Sequence, residues 1–139
     1  LDAGTATLTP IGIFVGCSYT DPTSNQLTFS QYYPASTAAD DISAYVVDDP
    51  DLVFKIQADD TLAQTTMFLN AGAVQTAGST DFGRSKNALD ASTAATTGTL
   101  PLRIVEFVEG PTSSVGDAYT DVLCIYNAGD HAYRNSTGV

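Results

Sequence analysis

The apolar residues of this chain come in short runs, each closed off by Pro, Gly, Asp or Asn before it could grow into a helix of ordinary length. The stretch AYVVDDPDLVFKIQADD, residues 44–60, shows the pattern compactly. Two β-rich runs flank an acidic knot, Asp48-Asp49-Pro50-Asp51, and a second acidic pair, Asp59-Asp60, follows. Such carboxylates are either a site or a turn. Asp49, preceding proline, is held extended, and Pro50 presets a turn. The knot therefore reads as the link between two strands, its charge facing water.

The same punctuation runs along the chain. IGIFVGCSYT (11–20) is rich in β-branched and aromatic residues and reads as a strand. DPTSNQ (21–26) is dense turn chemistry, and LTFSQYY (27–33) alternates like a half-buried strand. Residues 42–47 and 52–58 are the strands around the knot. In the second, Leu52, Phe54, Ile56 and Ala58 share one face, while Val53, Lys55 and Gln57 face solvent or carboxylates. Residues 61–74 are ambiguous: Thr61 could cap a short helix through Met67, against two successive threonines. Residues 75–87 read as a long loop, and 88–99 as a flat or loop-like segment without anchors. LPLRIVEFVEG (100–110) and DVLCIYN (121–127) are strands, with a loop at 111–120, and 131–139 could add a last short one. The expectation is a single all-β domain over residues 1–139, a small β-sandwich or β-barrel of six to eight short strands with long loops and at most one short helix.

A chain of 139 residues can bury about two-thirds of its unfolded surface, enough for a core of its own. Five Lys and Arg stand against 16 Asp and Glu, a net charge of −11. That balance argues against nucleic acid as a partner and against an anionic membrane surface. No run approaches the ~18 apolar residues of a membrane span. The chain begins at Leu1, not Met, and the expectation is that an N-terminal segment is missing. Cys17 and Cys124 lie in separate strand-like runs and read as buried thiols, with a disulfide between strands as the alternative.

The residues offer little chemistry. The one histidine, His131, follows Asp130, but adjacent side chains on a strand point to opposite faces. GCSYT (16–20) superficially resembles a nucleophile elbow, yet Thr20 replaces its last glycine and both neighbours look like strands. Sixteen acids make a glycosidase-like carboxylate pair inevitable by chance, and no Trp is present as a sugar platform. DDPD, QADD and DFGRSKNALD lack the spaced Asp/Asn pattern of a calcium loop. One His and two separated Cys cannot form an ordinary zinc set. No phosphate cradle or dinucleotide fingerprint is present. The Asn135 sequon is short enough to arise by chance. The chain thus reads as non-enzymatic, with no catalytic, cofactor-binding or metal-ligating residue assigned.

The order of several blocks resembles that of the head decoration, or cement, proteins of tailed bacteriophages, small virion proteins encoded near the major capsid protein. The blocks are Asp48-Asp49-Pro50 with Phe54-Lys55-Ile56-Gln57, then Leu69-Asn70, then Leu89 to Ile104, and last His131-Ala132-Tyr133. The likeness runs from about Ile11 to Val139. Each motif is weak and their order is the specific part. Relatives carry a further segment before the position of Ile11, and an RPDNE-like motif where EGPTSSVGD stands here. The resemblance implies a capsid-binding structural protein on the outer capsid surface of the virion, passing through the host cytoplasm during assembly. Its partner would be the major capsid protein, and it would be a homo-oligomer, dimer or trimer, with no nucleic acid or membrane partner. The expected contact elements are the loops 75–99 and 111–120 and the Tyr32-Tyr33-Pro34 corner. The rival expectation is a carbohydrate- or receptor-binding β-module of a tail, fibre or cell surface.

Overall fold

A computed structural model describes residues 10–79, 82–127 and 131–134. The described residues are all-β, with eight strands in two antiparallel sheets and one isolated 3-10 turn at Gln64–Thr66. The strands are β1 (Ile13–Thr20), β2 (Leu27–Ser30), β3 (Ser43–Val47), β4 (Phe54–Gln57), β5 (Asn70–Val74), β6 (Ala88–Ala95), β7 (Leu102–Phe107) and β8 (Asp121–Tyr126). The smaller sheet has the order β2-β1-β3 and the larger β4-β8-β7-β5-β6. This arrangement is consistent with a small β-sandwich.

The larger sheet holds the core. Its inward side chains include Leu102, Ile104 and Phe107 of β7, Val122, Cys124 and Tyr126 of β8, and Leu89 of β6. Leu62, from the connection before the 3-10 turn, is buried with them. The sheet curls until its two edges touch. Ala58, just past β4, bridges Leu89 of β6, and the Asp59 amide donates to the Leu89 carbonyl at 2.9 Å. The Asp59 carboxylate then accepts from the Ala91 amide at 2.9 Å. One of the acidic residues after β4 thus ties the two edges of the larger sheet together.

The smaller sheet is joined to the larger by few ties. Ile13 packs against the core, Tyr126 Oη donates to the Gly12 carbonyl at 2.9 Å, and the Ala132 amide donates to the Pro10 carbonyl at 2.9 Å. Position 12 has to be glycine for space: a Cβ there would lie 2.1 Å from the Val47 carbonyl oxygen.

Several local readings are corrected. Residues 88–95 are not a flat loop but β6, anchored by fully buried Leu89; a strand of small residues paired through its backbone carries little hydrophobic signal. Thr61 caps no helix; the 3-10 turn starts after Ala63 with no side-chain cap, and β5 follows. In β7 strict alternation would pair Glu106 with Leu102 and Ile104. A bulge between Ile104 and Glu106 shifts the phase, so Phe107 enters the core and Glu106 is exposed. Residues 131–134 form a turn rather than a strand, and the rest of that segment lies outside the described residues. The DPTSNQ loop is built as its residues suggest. Asp21 Oδ1 accepts from the Thr23 and Ser24 amides at 2.7 and 3.1 Å, and Asn25 takes a left-handed φ of 55°.

Candidate functional site

The acidic knot is a turn with a second task. Asp49 Oδ1 accepts from the Asp51 amide at 2.8 Å, and the Leu52 amide donates to the Asp49 carbonyl, which fixes the corner between β3 and β4. The outer two carboxylates hold another part of the chain. Tyr133 Oη donates to Asp48, and Arg134 forms a 2.7 Å ion pair with Asp51. The segment 131–134 is therefore clasped by the knot. Hydrogen bonding to Asp48, more than burial, raises the Tyr133 pKa above its ordinary value.

His131 sits under this clasp, fully buried. Its ring lies between Tyr126 and Tyr133, at centroid distances of 5.6 and 5.3 Å. Nδ1 accepts from the Tyr133 amide at 3.2 Å, and Nε2 has no hydrogen-bond partner among the described residues. No hydroxyl, thiol or carboxylate of the described residues bonds to the ring, so the geometry provides no activated nucleophile there. Asp130 and Asn135 lie outside the described residues. Ser18 of the GCSYT stretch bonds instead to Tyr45 Oη at 2.8 Å.

The cysteines are buried, unbonded thiols, and burial pushes Cys124 up to about 12. Among the described residues no group of three His, Cys, Asp or Glu is placed to hold a metal ion. Among the described residues no helix is long and apolar enough to cross a membrane.

Two surfaces stand out. The first is the outer face of the smaller sheet. Register places Leu27, Phe29, Tyr45 and Val47 on one side, together with Ser18 and Thr20, and all four large side chains are exposed, Phe29 by 69% and Leu27 by 62%. The strands β1, β2 and β3 contain no charged residue at all. The opposite face, bearing Cys17 and Tyr19, is covered by the segment after β2. There Tyr33 meets Tyr19 edge-on at 5.2 Å and donates from Oη to the Thr37 carbonyl at 2.5 Å.

The second surface is a groove of about 770 Å³. Phe14, Tyr32, Tyr33 and Pro34 form one wall. The other comes from the connection between β5 and β6, with Gly78, Ser79, Gly83 and Arg84. Two elements singled out in the sequence, the Tyr32-Tyr33-Pro34 corner and the first part of the 75–99 region, thus meet in space. Their junction needs glycine. Gly83 has φ +59°, and a Cβ there would lie 2.0 Å from the Tyr32 ring. The loop 111–120 is not part of this surface. It is tied to the larger sheet: Gly116 donates to the Leu62 carbonyl at 3.1 Å, and Ser113 Oγ accepts from the Asp121 amide at 2.9 Å.

Sequence reasoning missed a polar network. Arg103 Nε donates to Asn70 Oδ1 at 2.9 Å and its terminal nitrogen to Asn127 Oδ1 at 3.3 Å. Those two asparagines donate in turn to the carbonyls of Thr97, Gly98 and Leu100. The network pins the β6–β7 connection. Its members lie 33 and 24 residues apart, too far for any local pattern to link them. Comparison with family models, with curated proteins and with solved structures finds no match to this chain.

Proposed function

We propose that this chain is a non-enzymatic virion protein that binds the outer surface of a tailed-phage head and stabilises the shell by joining major capsid subunits. The block order set out above supports the reading, and one structural observation carries it: the uncharged outer face of the smaller sheet. Four large apolar side chains stand exposed on it in a chain of net charge −11. Exposed apolar patches mark interaction surfaces, and an edge strand without charges or proline is open to pairing. A protein that binds only the assembled lattice stabilises it by mass action, and many identical sites add avidity. The binding partner is the capsid surface, and a homo-oligomer forms part of the same reading.

The test is co-sedimentation with bare expanded heads, with unexpanded heads as control, together with the temperature at which the heads disrupt. Saturable binding at a lattice-set stoichiometry and a higher disruption temperature are expected. Phe29→Lys with Val47→Lys should remove binding and leave the protein's own melting temperature in place. Equal disruption temperatures with and without saturating protein would overturn the proposal. Binding of the isolated chain to sugars or host cells would favour a receptor-binding module instead.

A further inference from the structure

We infer that β2, an open edge of the smaller sheet, pairs antiparallel with β2 of a second copy of this chain, so that two smaller sheets run on as one across a twofold axis. The inference rests on the homo-oligomer in the reading above, and it names the surface that joins the copies.

The strand order leaves the smaller sheet two edges, β2 and β3. In the register of β1 and β2, Thr20 faces Leu27 and Ser18 faces Phe29. The Thr20 amide donates to Asp41 Oδ1 at 2.9 Å, away from β2. One residue on, the Asp21 amide donates to the Gln26 carbonyl at 2.9 Å, across the hairpin. Pairs in an antiparallel ladder alternate between bonded and non-bonded. Thr20–Leu27 and Ser18–Phe29 are therefore non-bonded pairs. The amides and carbonyls of Leu27 and Phe29 point away from β1, off the edge of the sheet. Their side chains stand exposed on its outer face.

Charge selects the edge and the occupant together. A second copy brings another net charge of −11, so two copies join best where each brings no carboxylate to the contact. No charged residue occurs between Asp21 and Asp40, which takes in all of β2 and its flanks. At β3 the opposite holds. Asp40 and Asp41 precede it, and Asp48 and Asp49 follow it. Antiparallel self-pairing of β3 about Tyr45 would set Asp41 of one copy opposite Asp49 of the other, like charge against like. The edges of the larger sheet, β4 and β6, are drawn together at Ala58 and Leu89 and carry Lys55 and Asp90. A basic partner would be steered to carboxylates, which β2 lacks. A copy of the same acidic chain is the partner that this edge suits.

The strand is also its own complement. With the axis at Thr28, Leu27 of each copy stands opposite Phe29 of the other. Each such pair exchanges both of its backbone hydrogen bonds. The same register sets the Leu27 side chain beside the Phe29 ring of the second copy, an aliphatic–aromatic contact repeated by symmetry. Joining the sheets leaves their outer faces open. Leu27, Phe29, Tyr45 and Val47 of both copies then lie on one side, and the face proposed to meet the shell is doubled.

The experiment is sedimentation equilibrium of the full chain over a concentration series, with amide hydrogen exchange at its two ends. A monomer–dimer equilibrium is expected, tightening as salt screens the net charge. The amides of Leu27 and Phe29 should exchange more slowly at high concentration than at low. Leu27→Glu should weaken the dimer roughly tenfold, through the lost Leu–Phe contacts and the carboxylates added near the axis. Leu27→Pro removes an outward amide without adding charge, at the first residue of a strand, where proline is tolerated. It should weaken the dimer as well. Val53→Glu adds the same charge at an exposed position away from β2 and should leave the dimer unchanged. A monomer at every concentration, a dimer indifferent to both Leu27 changes, or equal weakening by Val53→Glu would overturn the inference. So would protection of Leu27 and Phe29 that does not vary with concentration, because the chain itself would then cover the edge. Head co-sedimentation separates this failure from that of the function. A dimer that binds no heads leaves the edge pairing in place and ends the proposed function. A monomer that binds heads does the reverse.

Discussion

The two sheets of this protein are built from similar residues and put them to opposite uses. In the larger sheet, β-branched and aliphatic side chains turn inward, and the edges meet at Ala58 and Leu89. In the smaller sheet, residues just as apolar turn outward, and Phe29 and Leu27 are mostly in water. Charge separates them as well. Four of the five larger strands carry a charged residue, while the three smaller ones carry none. A surface that only had to stay soluble would place charges on the open sheet. The larger sheet therefore holds the buried core, while the smaller one leaves an uncharged apolar face exposed, the face on which the proposed function rests.

The comparison breaks first on stability. Ile104 is fully buried at the centre of the larger sheet. Ile104→Ala should cost about 2–5 kcal/mol by denaturant unfolding. Phe29→Ala removes a larger side chain from the smaller sheet and should change stability by no more than about 0.5 kcal/mol. Comparable losses from the two would mean that the outer face is structural, and the division of labour would be wrong.

What the sequence disclosed follows the same line. The faces of β4 were legible, because Phe54 and Ile56 pack inward while Lys55 meets Asp121 just where its alternation put it. The acidic knot was legible as a turn, but not as a clasp. Its partners Tyr133 and Arg134 lie 85 and 83 residues away, and no local pattern connects them. β6 was missed because its one anchor, Leu89, stands among Ala, Ser and Thr, and because pairing with β5, not composition, makes it a strand. The inward turn of Phe107 was not legible, because a bulge carries no signature in sequence. Of the groove, the corner and the loop were each visible as exposed, turn-rich segments. That Gly83 receives the Tyr32 ring is a fact of the fold. The blocks that carry the resemblance land mainly on scaffold: Asn70 in the polar network, Leu100 and Leu102 in buried positions, His131 beneath the clasp. They describe how the molecule holds together, while the surfaces proposed for binding lie largely outside them.

A smaller effect should sharpen the contrast at the groove. Gly83→Ala puts a side chain where φ is +59° and the Tyr32 ring already sits. The backbone strain alone is about 1 kcal/mol, and the ring must also move. Since the groove is peripheral to the core, this should appear as local loosening of residues 31–35 and 78–86, seen as faster amide exchange, with Ile104 and Val122 still protected. Cooperative loss of protection in both sheets would show that the two are one unit.

The least effect is expected at the clasp, where the two sheets are tied most lightly. Arg134→Ala removes an exposed ion pair to Asp51 and should cost about 0–1 kcal/mol. Tyr133 gives the clasp a pH dependence whose sign can be worked out. Its pKa is raised in the folded chain because the protonated hydroxyl donates to Asp48. The stabilisation is then complete below the ordinary tyrosine value of about 10 and is lost as pH rises through the higher folded value. Subtracting the alkaline absorbance titration of Tyr133→Phe from that of wild type isolates this one group. Its midpoint should lie above the ordinary value, and the melting temperatures of wild type and variant should converge once it has ionised. A midpoint at or below the ordinary value would mean that Asp48 does not hold Tyr133 in solution, and the knot would return to being only a turn.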